Sequence, residues 1–244
     1  MAETWTYPDA TSLARAAAEH FVTLAAEAIA ARGRFAVALS GGSTPYVTYT
    51  LVASDEFAAR VDWPRVHVFW GDERCVPPDH PESNFRLAEE ALLSRVPIPP
   101  DNVHRVRGEL EPEVAAQAYA AELRTFFGAQ WPRFDLVLLG MGDDGHTASL
   151  FPGSAALHET ARSVVAVTAH YQDRPAYRVT LTTPAINAAW RVLFLIAGVS
   201  KADIVQAVLE GPDGRFPAQE ICPTSGHLTW LMDAAAASKL KRQV

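Results

Sequence analysis

Cysteine is scarce: the 244 residues hold two, Cys75 and Cys222. They form no close-spaced pair, so neither a disulfide framework nor a cysteine-ligated metal site is indicated, and a reducing compartment is the expected setting. Long apolar runs are missing as well. Stretches such as Phe35-Ala36-Val37-Ala38-Leu39 and Leu136-Val137-Leu138-Leu139 fall far short of the roughly 20 residues a membrane-spanning helix needs. The first twenty residues contain an acidic residue and no continuous apolar stretch, which is not the make-up of an export signal. A soluble, cytoplasmic protein is the expectation. Positive charge is in deficit too, with 21 Lys and Arg against 28 Asp and Glu and a formal net charge of -7. Such a balance repels nucleic acid and anionic membranes, so neither is an expected partner, and cations for an anionic ligand have to be gathered locally.

Several motifs are absent. There is no GxSxG nucleophile elbow, no complete GxGxxG fingerprint and no P-loop lysine, and no internal repeat, low-complexity tract or heptad pattern occurs. What is present is a chain that is 49% hydrophobic, long enough for one large α/β domain over 1–244 with a substantial core. An alanine-rich helix is predicted over about 11–32, stopping at Gly33. Strand-like runs follow at 35–40, 66–70, 135–140, 163–168, 177–182 and 192–197, interleaved with helix-like segments at 45–53, 84–94, 113–127 and 201–209. A final strand around 228–232 and a short helix from the alanine run 234–237 complete the reading. This alternation predicts a mostly parallel sheet flanked by helices.

Ligands of such sheets sit beyond the carboxyl ends of the strands. Three segments there are unusual. Ser40-Gly41-Gly42-Ser43-Thr44-Pro45 follows an apolar run and opens a helix. Gly41 and Gly42 allow close backbone approach, Ser43 and Thr44 supply hydroxyls, and the helix N-terminus adds amides and partial positive charge, which together describe a phosphate cradle. An ordinary strand-to-helix turn with a serine or threonine cap would look the same. Gly71-Asp72-Glu73-Arg74 is a charged turn that must be solvated, internally paired or aimed at a ligand, with Arg74 the natural second phosphate contact. Gly140-Met141-Gly142-Asp143-Asp144-Gly145-His146 delivers two carboxylates and an imidazole to one small region. His146 can exchange a proton with water, and Asp144 is placed to hold its tautomer.

The other seven histidines, His170 among them, lie in segments without comparable neighbours. Lys201 stands where an apolar run passes into a helix, on the ligand side, and can extend the anion site or be a solvated first-turn lysine. Arg178 lies in an alternating strand, where either an anion contact or, more simply, a surface position accounts for it.

Leu39 to Pro45, Trp70 to Arg74 with Ser83-Asn84-Phe85, and Gly140 to Pro152 closely resemble the 6-phosphogluconolactonase family, and the likeness runs nearly end to end. The resemblance implies a modified Rossmann-like fold, shared with glucosamine-6-phosphate deaminases, and hydrolysis of 6-phospho-D-glucono-1,5-lactone in the oxidative pentose phosphate pathway. It implies no cofactor and a small phosphorylated sugar lactone as partner; a monomer is the expectation for assembly, although the sequence itself does not give the oligomeric state. The deaminases typically follow a similar turn with Ala-Phe-Asn-Glu-Pro, where this chain has Ala148-Ser149-Leu150-Phe151-Pro152 without the acid. Amine-releasing isomerisation is therefore the disfavoured alternative, and a sugar-phosphate-binding regulator without turnover is another.

Overall fold

The computed structural model describes residues 2–169 and 175–241; His170 lies outside them. The elements run β1 (Glu3–Tyr7), α1 (Ala10–Arg32), β2 (Phe35–Leu39), α2 (Ser43–Val52), α3 (Asp55–Ala58), β3 (Val66–Trp70), β4 (Asp72–Arg74), α4 (Asn84–Ala91) and α5 (Pro112–Phe127). Then follow β5 (Leu136–Leu139), β6 (Val164–Thr168), β7 (Tyr177–Leu181), α6 (Thr183–Asn187), β8 (Arg191–Ile196), α7 (Ala202–Glu210) and β9 (His227–Asp233).

A six-stranded sheet has the order β1-β9-β8-β5-β2-β3, with every pairing parallel. Its central strands β2 and β5 bury every residue, because helices cover both faces, and that is why they read as unbroken apolar runs rather than alternating ones. Asp9 caps α1 by accepting from the Ser12 amide at 2.7 Å. Gly33 ends it at φ 76°, donating its N–H to the Ile29 carbonyl at 2.8 Å. Between caps, Leu13, Ala17, Phe21, Ala25 and Ala28 form the buried stripe, and Phe21 meets Phe35 of β2 edge-on with ring centroids 5.3 Å apart. Each such buried large side chain contributes about 1.5–3 kcal/mol.

After β2 the chain moves to β3 on one side, then returns to place β5 on the other. The crevice between the carboxyl ends of β2 and β5 is therefore a topological switch point, where open α/β sheets bind ligands. A second sheet, β4-β7-β6, is antiparallel and joins the first through Gly71, whose amide donates to Leu39 O and whose carbonyl accepts from Leu181 N, both at 2.8 Å.

Three expectations need correcting, and one strand was missed. The charged run at 72–74 is strand β4 rather than a turn, since its acidic side chains find buried donors. The strands at 163–168 and 177–182 lie in the antiparallel sheet, outside the parallel one. The alanines at 234–237 form turns: Asp233, at the end of β9, accepts from the amides of Ala236 and Gly198 and ties the segment down before a helix can propagate. Strand β1, left out of the reading above although Thr4-Trp5-Thr6-Tyr7 is β-prone and Pro8-Asp9 bounds it, forms the sheet edge beside β9.

Candidate active site

The loop after β2 is fixed by a buried tyrosine. Tyr49 of α2 accepts from the Ser40 amide at 2.9 Å and donates to the Ser40 carbonyl at 2.8 Å. Burial pushes its phenol pKa up, so it stays a neutral donor. Tyr119 of α5 grips the amide and carbonyl of Trp70 at the end of β3 in the same way, at 2.8 and 2.9 Å. Both strand ends are thus locked where their loops depart. Gly42 precedes α2 at φ 109°, a conformation that favours glycine, and Ser43 and Thr44 occupy the first helical turn. Gly41 has no room for a side chain, since a Cβ there would fall 1.9 Å from Asn84 Oδ1.

The acidic residues of β4 are buried and bonded. Glu73, 2% exposed, accepts from the amides of Arg74, Asn84 and Phe85 and from Ser83 Oγ, so it anchors the start of α4. Burial raises its pKa against the pull of those amides. Arg74 donates to the Glu82 carbonyl at 2.6 Å, while its buried Nε has no hydrogen-bond partner among the described residues. Arg178 of β7 pairs in register with Arg74 and is 4% exposed, so the surface position that sequence favoured is overturned. Residues opposed in an antiparallel pair share a face, and both arginines line the same cavity.

In the loop after β5, His146 Nδ1 lies 2.5 Å from Asp144 Oδ1, which also accepts the His146 amide at 3.1 Å. A carboxylate only accepts, so Nδ1 carries the proton and the neutral ring has its lone pair on Nε2. Partial burial opposes ionisation of Asp144, yet the hydrogen bonds from the His146 ring and amide, with its charge, bring the pKa down to about 2. Gly142 is required here, because a Cβ would stand 2.1 Å from the His146 ring. Ala148 adopts φ 48°, a left-handed conformation costing about 1–2 kcal/mol, at the cavity wall.

The cavity holds about 430 Å³ and opens over the switch point. Of the residues singled out from sequence, Gly41, Gly42, Ser43, Thr44, Arg74, His146, Arg178 and Lys201 line it. Asp144 does not; it stands behind the imidazole. Lys201 reaches over from the end of β8 and pairs with Asp143 at 2.6 Å, tying the β8 and β5 loops together across the site. Sequence reasoning assigned no role of their own to Asp72 and Asn84, or to the apolar Met141 and Phe151, which also line it. Asp72 and Asn84 stood inside quoted motifs, whereas nothing in the sequence signals the backbone of Ala148. Among the described residues no group of three His, Cys, Asp or Glu side chains could hold a metal ion. Nor is any helix there long and apolar enough to cross a membrane.

Residues 8–230 match the family described as glucosamine-6-phosphate isomerases/6-phosphogluconolactonase. The chain belongs to that family. Within it, a 6-phosphogluconolactonase of Nostoc sp. is 43% identical, the alignment covering 96% of this chain and 96% of the relative. The solved structure of 6-phosphogluconolactonase from Trypanosoma cruzi superposes with a TM-score of 0.87 at 29% identity, over 99% of this chain and 98% of that one. A monomeric glucosamine-6-phosphate deaminase shares the fold at 22% identity, with a TM-score of 0.84 over 97% of this chain and 99% of that chain. The family resemblance drawn from motifs thus extends to the whole architecture.

Proposed function

We propose that this protein hydrolyses 6-phospho-D-glucono-1,5-lactone to 6-phospho-D-gluconate, the lactone step of the oxidative pentose phosphate pathway. The observation that carries the reading is an imidazole backed by a carboxylate on the wall of a cavity that also presents two opposed arginines. The relatives of high identity are lactonases, and the deaminase likeness extends to the fold alone. No glutamate stands on this cavity wall among the described residues to supply the further acid of amine-releasing chemistry.

In this reading Arg74, Arg178, Lys201 and the Gly41-Gly42-Ser43-Thr44 cradle hold the phosphate. That anchor places the lactone carbonyl beside His146. Nε2 takes a proton from water as the water oxygen bonds to the carbonyl carbon. The tetrahedral intermediate collapses with cleavage of the bond to the ring oxygen, and the imidazolium returns the proton to that oxygen. Asp144 holds the ring and stabilises its charged state. The amides of Gly142, Gly145 and His146 are engaged within the turn, so the oxyanion must find its donors elsewhere than on those three. The same reading takes the chain as one domain acting as a monomer in the cytoplasm, without nucleic-acid or membrane partners, in keeping with its net charge of -7.

The test is a coupled dehydrogenase assay on freshly made lactone, corrected for spontaneous opening. Acceleration is expected from the wild type and a rate lower by about 10²–10⁴-fold from H146A, with no ammonia released from glucosamine 6-phosphate. A wild-type rate equal to the spontaneous one would sink the proposal.

A further inference from the structure

The cavity wall carries Arg74, Arg178 and Lys201, and among the described residues a single carboxyl group, that of Asp72. Asp72 is 7% exposed and sits at the start of β4, opposite Thr180 of β7. Its Oδ2 accepts from Ser149 Oγ at 2.6 Å, and its Oδ1 accepts one long bond, 3.4 Å, from Asn84 Nδ2. A carboxylate offers about four acceptor positions, so these two donors leave roughly half of its capacity unfilled. Asn84 is itself 2% exposed, and because its Nδ2 donates to the Asp72 carbonyl at 2.8 Å, its Oδ1 points towards Gly41, buried with no hydrogen-bond partner. The cavity lining thus holds a small acceptor surface, the Asp72 carboxylate, among its cations.

An acceptor surface of this kind repels phosphate and calls for donors. The donors a phosphorylated sugar lactone brings are its hydroxyl groups. We infer that Asp72, with Asn84 beside it, is a specificity-determining residue that accepts hydrogen bonds from the hydroxyls of the sugar while the cations take the phosphate. This rests on the lactone-hydrolase reading. It separates the two halves of recognition: cations select any phosphate monoester of suitable length, and Asp72 selects the polyhydroxylated one. A site built to bond hydroxyls discriminates strongly, because a ligand lacking them leaves a buried acceptor unpaired.

Titration calorimetry on wild type, D72N and S149A provides the test, with three ligands: 6-phosphogluconate, 6-(phosphonooxy)hexanoate, which keeps both charged ends but has no hydroxyls, and inorganic phosphate. The wild type is expected to prefer the hydroxylated ligand by about tenfold or more. In D72N that preference falls below about threefold, while inorganic phosphate binds as tightly or more tightly because a negative charge has gone. S149A keeps the wild-type preference, since the acceptor remains. A wild type without preference, a D72N protein that retains it, or an S149A protein that loses it as D72N does would each overturn the inference, the last by reducing Asp72 to an anchor for Ser149. Should D72N fail to fold, the wild-type and S149A arms decide alone. A wild type that binds none of the three ligands and does not open the lactone would instead refute the reading beneath it.

Discussion

Arg74 and Arg178 are register partners across the antiparallel pair β4–β7 and line one cavity. Like charges directly opposed in a sheet are destabilising, so in the proposed reading a bound phosphate dianion relieves a repulsion between the two. Replacing Arg74 with Met should therefore weaken inorganic phosphate as a competitive inhibitor by about tenfold to a hundredfold. The melting temperature should fall by no more than about 2 °C. Turnover of an unphosphorylated lactone should change little; an equal loss on both lactones would contradict the phosphate contact.

For His146 the expectation concerns kcat. A positioned general base contributes about 10²–10⁴-fold, so H146A should lower kcat by that range with KM altered only a few-fold. D144N should also lower kcat, by about 10²-fold or more, because an amide no longer enforces the tautomer or stabilises imidazolium. Single-turnover kinetics on fresh lactone measure both. Full activity in D144N would show that the 2.5 Å contact does not orient the base.

The central sheet was legible because burial on both faces leaves an unambiguous mark: β2 and β5 are unbroken apolar runs. Helix ends were legible where a residue with special conformational freedom sits, as at Gly33. The antiparallel sheet was not, since Tyr177 to Leu181 mixes polar and apolar residues in the same way whichever sheet it joins. Its partner β4 is three residues of charge, a pattern that local propensity assigns to a turn and only distant donors such as Ser83 and Ser149 convert to strand.

In the site, loops identified their own residues, because paired glycines and clustered charge have few structural uses. The burial of Arg178 was not legible: it depends on β7 being brought beside β4, a contact between residues about a hundred positions apart. The pairing of His104 with Glu122 at 2.8 Å was equally hidden, since the carboxylate comes from a neighbouring helix rather than from the same turn.

Gly142 offers a steric test of the histidine's placement. A methyl group in G142A would stand 2.1 Å from the imidazole and 2.8 Å from Asp144 Oδ1, so the ring must move. Backbone φ at Gly142 is not in the left-handed range, so the substitution itself adds little strain. The expected result is a kcat loss of about 10²-fold, typical of a reacting group displaced by about 1 Å, with phosphate affinity retained. Near-normal turnover would mean that His146 tolerates displacement and is not the positioned base.

Far from the cavity, His67 of β3 lies 3.3 Å from His104, which is bonded to Glu122, and Arg34 stands near enough to repel added charge. Burial, then the neighbouring His104 and Arg34, depress the His67 pKa from 6.5 to about 4. The unfolded chain therefore binds a proton here that the folded chain refuses between those two values. Stability contributed by neutral His67 is complete above about pH 6.5 and is lost as pH falls towards 4, with a slope of at most about 1.4 kcal/mol per pH unit. Urea midpoints measured from pH 7.5 to 4.5 should fall more steeply for the wild type than for H67F, whose ring packs against Phe126 without titrating. Parallel profiles for the two proteins would assign the acid sensitivity to other groups.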